Sequence, residues 1–178
     1  FWTALRERGG WWDEQARRAR SGTFDLSPHA LGAARRPGPV APTGDRGRFP
    51  LVLNTFRPLA WTGGRTANMP YLLEAAGKTV GSSWESWVEI NPATAARLGI
   101  GDGEPVWVES SLGRVKARAR LHPGAQPDVL SFAYGLGHRV GGRWAAQLGA
   151  NPNDIVAMTA DAATAAGWAI TRVAVARA

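Results

Sequence analysis

Between residues 49 and 178 the chain alternates short apolar runs with turns rich in glycine and proline. Four runs have the length and composition of strands: 49–56, 84–90, 129–133 and 169–176, of which 49–56 and 129–133 are expected to be buried. Residues 104–110 and 114–121 instead alternate apolar with polar side chains around a Ser-Leu-Gly turn, which is typical of a half-buried antiparallel hairpin. The pattern therefore predicts a mainly β fold with small helices, closed into a compact barrel.

Short helices are predicted between the strands. The best specified covers 92–98, because Asn91 can cap the first turn, Pro92 suits the first helical position and Gly99 suits the position after the last. Three further short helices are expected: 1–8 ended by Gly9-Gly10, 69–76 ended by Gly77, and one around 144–148. A long polar loop, 57–68, follows the first strand.

The first 48 residues lack this regular pattern. Trp11-Trp12 is an apolar pair that needs a packing partner, and residues 21–48 are rich in Gly, Pro, Ala and Arg without a sustained period. Because the chain begins with Phe1-Trp2 rather than with a methionine, we expect it to be a segment of a longer polypeptide. The predicted organisation is the tail of a preceding domain and a linker over 1–48, and the barrel over 49–178.

The composition excludes several kinds of site. Cysteine is absent from the 178 residues, which excludes disulfides, iron–sulfur ligation and thiolate metal sites within this chain. His29, His122 and His138 share no metal-ligand spacing, so no direct metal ligand is expected. The sequence contains no run of about 18 apolar residues that could span a membrane, and no signal peptide is visible.

The formal net charge of +7 favours anionic partners. Arginine greatly outnumbers lysine, which occurs only at Lys78 and Lys116, and much of this charge is expected to be solvated surface. Nucleic acid is not an expected partner, because residues 114–120 carry alternating basic side chains without the interleaved aromatic residues that stack on bases.

The loop after the first strand is equipped to bind an anion. Arg57 and Arg65 offer planar donor forks, and Gly63-Gly64 allows backbone amides to approach a ligand closely. Hydroxyl groups come from Thr55, Thr62 and Thr66. Taken without any further comparison, the same residues also describe an ordinary exposed loop.

Other polar residues have structural explanations beside functional ones. Asn91 is explained by its role as a helix cap, and His138 lies in a glycine-rich loop where a surface histidine is common. Asn151 and Asn153 lie in a turn, where asparagine occurs for local reasons. The nine tryptophans are expected to pack in cores or between domains rather than to form a ligand cage.

In chain order these segments resemble one family, the C-terminal molybdopterin dinucleotide-binding domain of the molybdopterin (dimethyl sulfoxide reductase family) oxidoreductases. The resemblance rests on residues 87–103, 106–121, 134–138, 142–144 and 149–154 together with the loop 55–70, and it covers the chain from Phe49 onwards. It implies a six-stranded double-psi β-barrel, similar to that of aspartate decarboxylase. Within the family, the Gly-His, Gly-Arg-Trp and Gly-Ala-Asn-Pro-Asn segments are most similar to polysulfide, thiosulfate and tetrathionate reductases and to menaquinone reductase-like subunits.

The resemblance implies a cofactor and its contacts. The cofactor is molybdenum or tungsten carried by a pair of pterin guanine dinucleotides, of which this domain holds one arm. The implied contact residues are Thr55, Arg57, Trp61, Thr62, Gly63, Arg65, Asn91, His138, Asn151 and Asn153. The chain departs from the family at Arg172, where many relatives have a lysine before the final Ala-Val. No catalytic residue is expected here, and the segment alone is not expected to be catalytic.

The resemblance also implies a setting for the parent protein. Its partners would be the rest of the catalytic subunit, which carries an iron–sulfur cluster, an iron–sulfur electron-transfer subunit and a membrane anchor subunit. The complex would lie on the periplasmic side of a bacterial inner membrane and act on a sulfur oxyanion, polysulfide or quinone-linked substrate.

Two alternatives belong to other classes. One is a structural subunit of a menaquinone reductase or alternative complex III, in which the barrel is retained without the cofactor. The other is a self-processing decarboxylase of similar shape that would cleave at Gly81-Ser82, but no supporting catalytic residues accompany that bond.

Overall fold

The computed structural model describes residues 1–10, 41–81, 83–158 and 170–178. The chain divides into two units, Phe1–Arg36 and Pro37–Ala178. In the first unit, helix α1 covers Trp2–Arg8 and ends at Gly9 in the left-handed conformation, which confirms the predicted helix and its stop. Trp11-Trp12, Ser82 and most of the predicted linker lie outside the described residues.

The second unit is a closed six-stranded barrel. Its strands are β1 (Leu51–Phe56), β2 (Trp87–Ile90), β3 (Pro105–Ser110), β4 (Gly113–Leu121), β5 (Val129–Ala133) and β6 (Thr171–Arg177). The strand order around the barrel is β1-β5-β2-β4-β3-β6. The pairs β1·β5 and β2·β4 are parallel, and the other four pairs are antiparallel. This confirms the predicted mainly β, double-psi type of barrel.

The barrel interior follows the alternation read from the sequence. On β3, Val106 and Val108 are fully buried, and on β4 Val115, Ala117 and Ala119 face the same core while the basic residues between them face outward. Each fully buried valine or leucine contributes about 1.5–3 kcal/mol relative to an exposed one. The predicted hairpin is therefore confirmed, and its apolar face closes one side of the core.

In the described part of the chain, two α-helices lie between the strands, α2 (Pro70–Val80) and α3 (Pro92–Leu98). The prediction for α3 is confirmed, because Asn91 Oδ1 accepts a hydrogen bond from the amide of Ala93 at 2.9 Å and Gly99 is left-handed. The predicted end of α2 at Gly77 is wrong, since the helix continues to Val80. A Cβ on Gly77 would lie 1.5 Å from Ser83 Oγ, so this glycine permits close packing rather than ending the helix.

Two other predicted boundaries also differ from the structure. Residues 144–148 form turns rather than a helix, because Gln147 adopts a left-handed conformation (φ 60°) and His138 forms a β-bridge with Ala146. The second strand begins at Trp87 rather than at residue 84, because Trp84 is also left-handed (φ 62°).

A second apolar cluster packs outside the barrel. It consists of Trp61, Ala67, Leu73, Ala76, Trp87, Ala133, Leu136 and Ala145. The rings of Trp61 and Trp87 meet edge to face with their centroids 4.8 Å apart, and both side chains are buried. This cluster holds the segment after β1 and the segment after β5 against the barrel wall.

Residues before Phe49 also contact the barrel. The amide of Thr43 donates to the carbonyl of Ile170 at 2.7 Å, and the amide of Arg172 donates to the carbonyl of Thr43 at 2.9 Å. Thr43 therefore extends the pairing of β6. The domain boundary between residues 48 and 49 stays a prediction. Of the helices in the described part of the chain, none has both the length and the apolar character needed to cross a membrane.

Candidate functional site

Two long loops leave the barrel at the same end. Because β1 and β5 are parallel and Phe56 pairs with Ala133, the segments that follow them start side by side. The amide of Tyr134 donates to the carbonyl of Phe56 at 3.0 Å. We call residues 57–69 the first loop and residues 134–150 the second loop.

Glycine residues allow these loops to touch through their backbones. A Cβ on Gly135 would lie 2.9 Å from the amide nitrogen of Gly64, and a Cβ on Gly137 would lie 2.2 Å from the amide nitrogen of Asn151. Both Gly135 and Gly137 have positive φ, which a residue with a side chain rarely adopts. The first loop, the second loop and the Asn151 turn are thus packed together and do not point away from each other.

Side-chain hydrogen bonds also hold the two loops and the Asn151 turn in place. Asn68 Oδ1 accepts from the amides of Trp144 and Ala145 at 2.8 and 3.2 Å, which ties the first loop to the second. Buried Ser86 accepts from the amide of Ala150 at 2.9 Å and donates to its carbonyl at 3.1 Å. The positioning roles of Ser86 and Asn68 could not be predicted from the sequence, since both contacts depend on distant segments.

A cleft of about 470 Å³ opens between the loops and the Asn151 turn. Its lining includes Gly63, Tyr134, His138, Arg139, Asn151, Asn153 and Asp154. We call it the first cleft. It brings together four of the ten residues that the sequence predicted for a site: Gly63, His138, Asn151 and Asn153.

Arg57 lies at the edge of the first cleft. A Cβ on Gly63 would lie 3.6 Å from both Arg57 Cδ and the Tyr134 ring, so these two side chains flank that glycine. Tyr134 follows β5 as Arg57 follows β1. The sequence analysis missed Tyr134, because only the parallel pairing of the two strands brings it beside Arg57.

The first loop has an unusual backbone next to the first cleft. Thr62, Gly63 and Gly64 are all left-handed, with φ of 38°, 71° and 95°. A β-branched residue in this region is strained by about 1–3 kcal/mol, and such strain is concentrated at ligand sites. The hydroxyl of Thr66 is used within the loop, where it donates to the carbonyl of Ala60 at 2.8 Å.

Trp61 is a packing residue rather than part of the cleft surface. Its side chain is fully buried, and a Cβ on Gly135 would lie 3.4 Å from Trp61 Cβ. Its Nε1 is buried and has no hydrogen-bond partner among the described residues. A buried donor left unpaired costs about 1–3 kcal/mol. This confirms the packing expected of the tryptophans at this position.

Asn91 lies at the opposite end of the barrel from the first cleft. Strand β2 runs antiparallel to β5, pairing Val88 with Phe132, so its last residue, Ile90, lies towards the start of β5. Both ends of the Asn91 side chain are used locally: Oδ1 caps α3, and Nδ2 donates to the carbonyl of Ala125 at 2.8 Å. The structure therefore does not bring Asn91 together with the other predicted site residues.

Thr55 and Arg65 also lie outside the first cleft. Thr55 pairs with Phe132 and lines a separate cavity of about 720 Å³, together with Asn54, Glu89 and His122. Arg65 is exposed at the end of the 3₁₀ turn Leu59–Gly64.

The first cleft is surrounded mainly by positive charge. Arg57 and Arg139 are exposed and make no ion pair within the described ranges, and Asp154 is the one acidic residue that lines the cleft there. His138 Nε2 lies 3.2 Å from the carbonyl oxygen of Gly135. The site thus combines free guanidinium groups with two asparagine amides, a set that suits a polar, anionic ligand.

Arg118 is also basic, but its guanidinium group is paired with an acidic side chain. It binds Glu85 through two hydrogen bonds of 2.6 and 3.0 Å. The hydrogen bonding and then the charge of Glu85 raise the pKa of Arg118 above its ordinary value. Its charge is used to join β4 to the segment before β2.

Comparison with known proteins identifies the class of this barrel. Residues 51–168 match the family described as the molydopterin dinucleotide binding domain. The chain is 34% identical over 131 residues to the arsenate respiratory reductase molybdopterin-containing subunit of Chrysiogenes arsenatis, covering 69% of this chain and 16% of that protein. It is 31% identical over 121 residues to the corresponding subunit of Shewanella sp. (strain ANA-3), covering 64% and 14%.

One further relative and one solved structure are also similar to this chain. The thiosulfate reductase molybdopterin-containing subunit of Salmonella typhimurium is 34% identical over 85 residues, covering 48% of this chain and 10% of that protein. Acetylene hydratase from Pelobacter acetylenicus has the same fold, with a TM-score of 0.62 at 17% identity, covering 80% of this chain and 21% of that one.

The chain belongs to the molybdopterin dinucleotide-binding domain family of the molybdopterin oxidoreductases, which confirms the resemblance predicted from the sequence. It spans between 8% and 16% of the length of the curated relatives that it matches.

Proposed function

We propose that the first cleft holds the pterin end of one molybdopterin guanine dinucleotide arm. The observation that supports this most strongly is that Gly63, His138, Asn151 and Asn153, which come from three separate segments, line one cleft. Arg57 flanks Gly63 at its edge. We assign the direct contacts to Arg57, Asn151 and Asn153.

The donor set fits such a group. A pterin ring edge presents both donors and acceptors, and an asparagine amide offers both. Asn151 Oδ1 accepts a hydrogen bond from the amide of Asn153 at 3.0 Å, and among the described residues Asn151 Nδ2 has no hydrogen-bond partner. Arg57 adds a planar donor fork, and Gly63 leaves space for close approach. We assign no direct contact with the cofactor to five of the other predicted residues, which are Thr55, Thr62, Trp61, Arg65 and Asn91.

The metal is proposed to be molybdenum or tungsten, carried by two pterin guanine dinucleotides. When bound, the cofactor supplies the redox-active metal. This chain's residues bind and orient its organic part. An iron–sulfur cluster is proposed for another region of the parent polypeptide, because this chain has no cysteine.

For the parent protein we propose the reduction of a small oxyanion or a polysulfide, linked to quinone. Relatives named for arsenate and thiosulfate reduction support an oxyanion substrate. We further propose that the parent works with an iron–sulfur subunit and a membrane anchor subunit on the periplasmic side of the bacterial inner membrane. The alternative is a structural subunit that has kept the barrel and lost the cofactor.

The test uses the intact subunit that carries this chain. Asn151→Ala combined with Arg57→Ala should lower both metal and pterin content per polypeptide, measured by elemental mass spectrometry and pterin fluorescence. The control is Arg97→Ala, an exposed arginine on α3 at the other end of the barrel. Unchanged metal and pterin in the double variant would refute the assignment of the first cleft. An unmodified subunit without pterin would favour the structural alternative.

A further inference from the structure

A series of tryptophan rings leads from the wall of the first cleft to the surface of the barrel. Trp61 lies behind that wall, since a Cβ on Gly135, which lines the cleft, would lie 3.4 Å from Trp61 Cβ. The rings of Trp61 and Trp87 have their centroids 4.8 Å apart. Trp84 packs against the apolar cluster that contains both of them, and its ring lies 5.9 Å from that of Trp144. Trp144 is 40% exposed, so the series ends at solvent.

We call Trp61, Trp87, Trp84 and Trp144 the tryptophan series. The rate of electron transfer falls exponentially with distance. Rings that are packed together therefore provide a faster route than one long transfer from the first cleft to the surface.

The hydrogen-bond partner of the indole nitrogen changes along the series. Within the described ranges, Trp61 Nε1 has no hydrogen-bond partner. Trp87 Nε1 donates to Glu89 Oε1 at 3.4 Å, and Trp84 Nε1 donates to Glu74 Oε2 at 2.8 Å. The carboxylate that accepts from the indole thus becomes closer from the buried end of the series towards the surface.

These partners determine which ring loses an electron most easily. An indole that loses an electron becomes a strong acid at Nε1, so a carboxylate that can accept the proton stabilises the oxidised ring. Trp61 has no such acceptor among the described residues, and a buried positive charge without a partner is costly. Trp84 has the shortest contact, to the exposed Glu74. An electron removed from Trp61 should therefore be replaced by one from Trp87 and finally from Trp84.

Trp144 is less suited to stay oxidised, although it lies nearer to solvent. The guanidinium carbon of Arg143 lies 4.8 Å from the centroid of the Trp144 ring. A cation in this position is attracted to the neutral ring and repels a positive charge on it. The backbone of Trp84, in contrast, is held left-handed with a φ of 62°, a strained state that is concentrated at functional sites. Trp84 is thus the ring on which the oxidation should stop.

We propose that the tryptophan series removes oxidising equivalents from the first cleft and holds them on Trp84. This rests on the proposed function, which puts a redox cofactor at the cleft, where oxygen-centred radicals can form when dioxygen is partly reduced. Such a radical takes one electron from Trp61, which is restored by one electron from Trp87, and Trp87 is restored by one from Trp84. The oxidant is thereby consumed before it modifies the residues of the cleft.

The proton and the final reductant complete the reaction. The Nε1 proton of Trp84 passes to the Glu74 carboxylate, which leaves a neutral indolyl radical on Trp84. A thiol in solution then donates a hydrogen atom to Trp84 Nε1 and becomes a thiyl radical, and Glu74 releases its proton to solvent. Overall, the oxidant gains one electron and the thiol loses one electron and one proton.

The experiment fixes a photochemical oxidant at the first cleft of the 178-residue chain. Because the chain has no cysteine, Arg139→Cys gives one attachment point for a ruthenium polypyridyl complex, on a residue that lines the cleft. A laser flash in the presence of a dissolved electron acceptor converts the complex into a strong one-electron oxidant. Transient absorption should then show the neutral tryptophan radical, and an added thiol should shorten its lifetime.

Four variants of the labelled chain identify the ring that holds the radical. Trp84→Phe and Trp87→Phe should abolish the signal, because the first removes the final ring and the second interrupts the route. Glu74→Gln should lower the radical yield about tenfold, since an amide cannot take up the proton and a charged hydrogen-bond partner is lost. Trp107→Phe is the control and should leave the signal unchanged, because Trp107 lies on β3 outside the apolar cluster.

Circular dichroism shows whether each variant is folded. Glu74 is exposed on α2, so Glu74→Gln still decides the question if Trp87→Phe does not fold. The proposal is overturned if the labelled chain forms no tryptophan radical, if the radical forms on a tyrosine, if Trp107→Phe abolishes the signal, or if Glu74→Gln leaves the yield unchanged. These results leave the proposed function to be decided separately, by the pterin and metal content of the intact subunit.

Discussion

Gly137 and Asn151 are in backbone contact: a Cβ placed on Gly137 would lie 2.2 Å from the Asn151 amide nitrogen. This contact joins the loop after β5 to the turn that carries the two asparagines. It leaves no room for a side chain, and Gly137 also has a φ of 85°. The position of Asn151 in the first cleft thus depends on the absence of one methyl group.

Gly137→Ala is therefore expected to lower the free energy of unfolding by more than backbone strain alone would. We predict a loss of at least about 2 kcal/mol in the free energy of unfolding, because a positive φ costs about 1–2 kcal/mol and the Asn151 backbone must also move. Gly103→Ala is the control, since Gly103 has a φ of 74° and no heavy atom within 4 Å of the added Cβ. Urea denaturation of both variants measures the difference, and equal losses would show that the close contact is not important.

Substitutions of Asn68 and Asn153 should distinguish a residue that positions the loops from a residue that binds the cofactor. Asn68→Ala removes two hydrogen bonds to the second loop, and we predict a loss of about 1–2 kcal/mol in stability. Asn153 is exposed, so Asn153→Ala should change stability by less than about 0.5 kcal/mol while lowering the pterin content of the intact subunit. A large stability loss in Asn153→Ala, with normal pterin content, would show that Asn153 positions the loops and does not bind the cofactor.

Trp61 and Trp87 form a matched pair of buried indoles. The Trp87 Nε1 donates to Glu89 Oε1 at 3.4 Å, whereas no residue in the described part of the chain accepts from Trp61 Nε1. Trp61→Phe should therefore destabilise the chain by about 1 kcal/mol less than Trp87→Phe, because only the latter removes a hydrogen bond. Thermal unfolding monitored by circular dichroism tests the order of the two variants, and a larger loss at Trp61 would contradict the account.

The Arg118–Glu85 pair should make a small contribution to stability. Both side chains are about two-fifths exposed, so Arg118→Gln is predicted to cost no more than about 1 kcal/mol. Because the pKa of Arg118 is raised in the folded chain, the stability linked to its protonation is fully present below the ordinary arginine pKa. It is lost only as pH rises through the raised value. Changes in stability caused by Arg118 titration near neutral pH would disagree with this.

Local signals in the sequence were sufficient for some parts of the fold. Asn91, Pro92 and Gly99 specify α3 because capping depends on neighbouring residues. The alternating residues of β3 and β4 specify the hairpin for the same reason. The helix expected around 144–148 did not form, because Gln147 is left-handed and its amide donates to the carbonyl of His138, earlier in the second loop.

It was harder to predict from the sequence which residues form the site. Whether Asn91 lies near Asn151 depends on the direction of β2 relative to β5, which no local pattern reveals. The inward position of Trp61 depends on its packing against Trp87 and below Gly135. Residues joined by parallel pairing, such as Arg57 and Tyr134, come together only once the topology is known.

A structure of the intact subunit with its cofactor would test the assignment of the first cleft directly. We predict that one pterin lies in the first cleft, within about 3 Å hydrogen-bond distance of Asn151 and Arg57. A pterin bound instead in the cavity beside Thr55 and His122, or a first cleft filled by side chains of the parent chain, would contradict it.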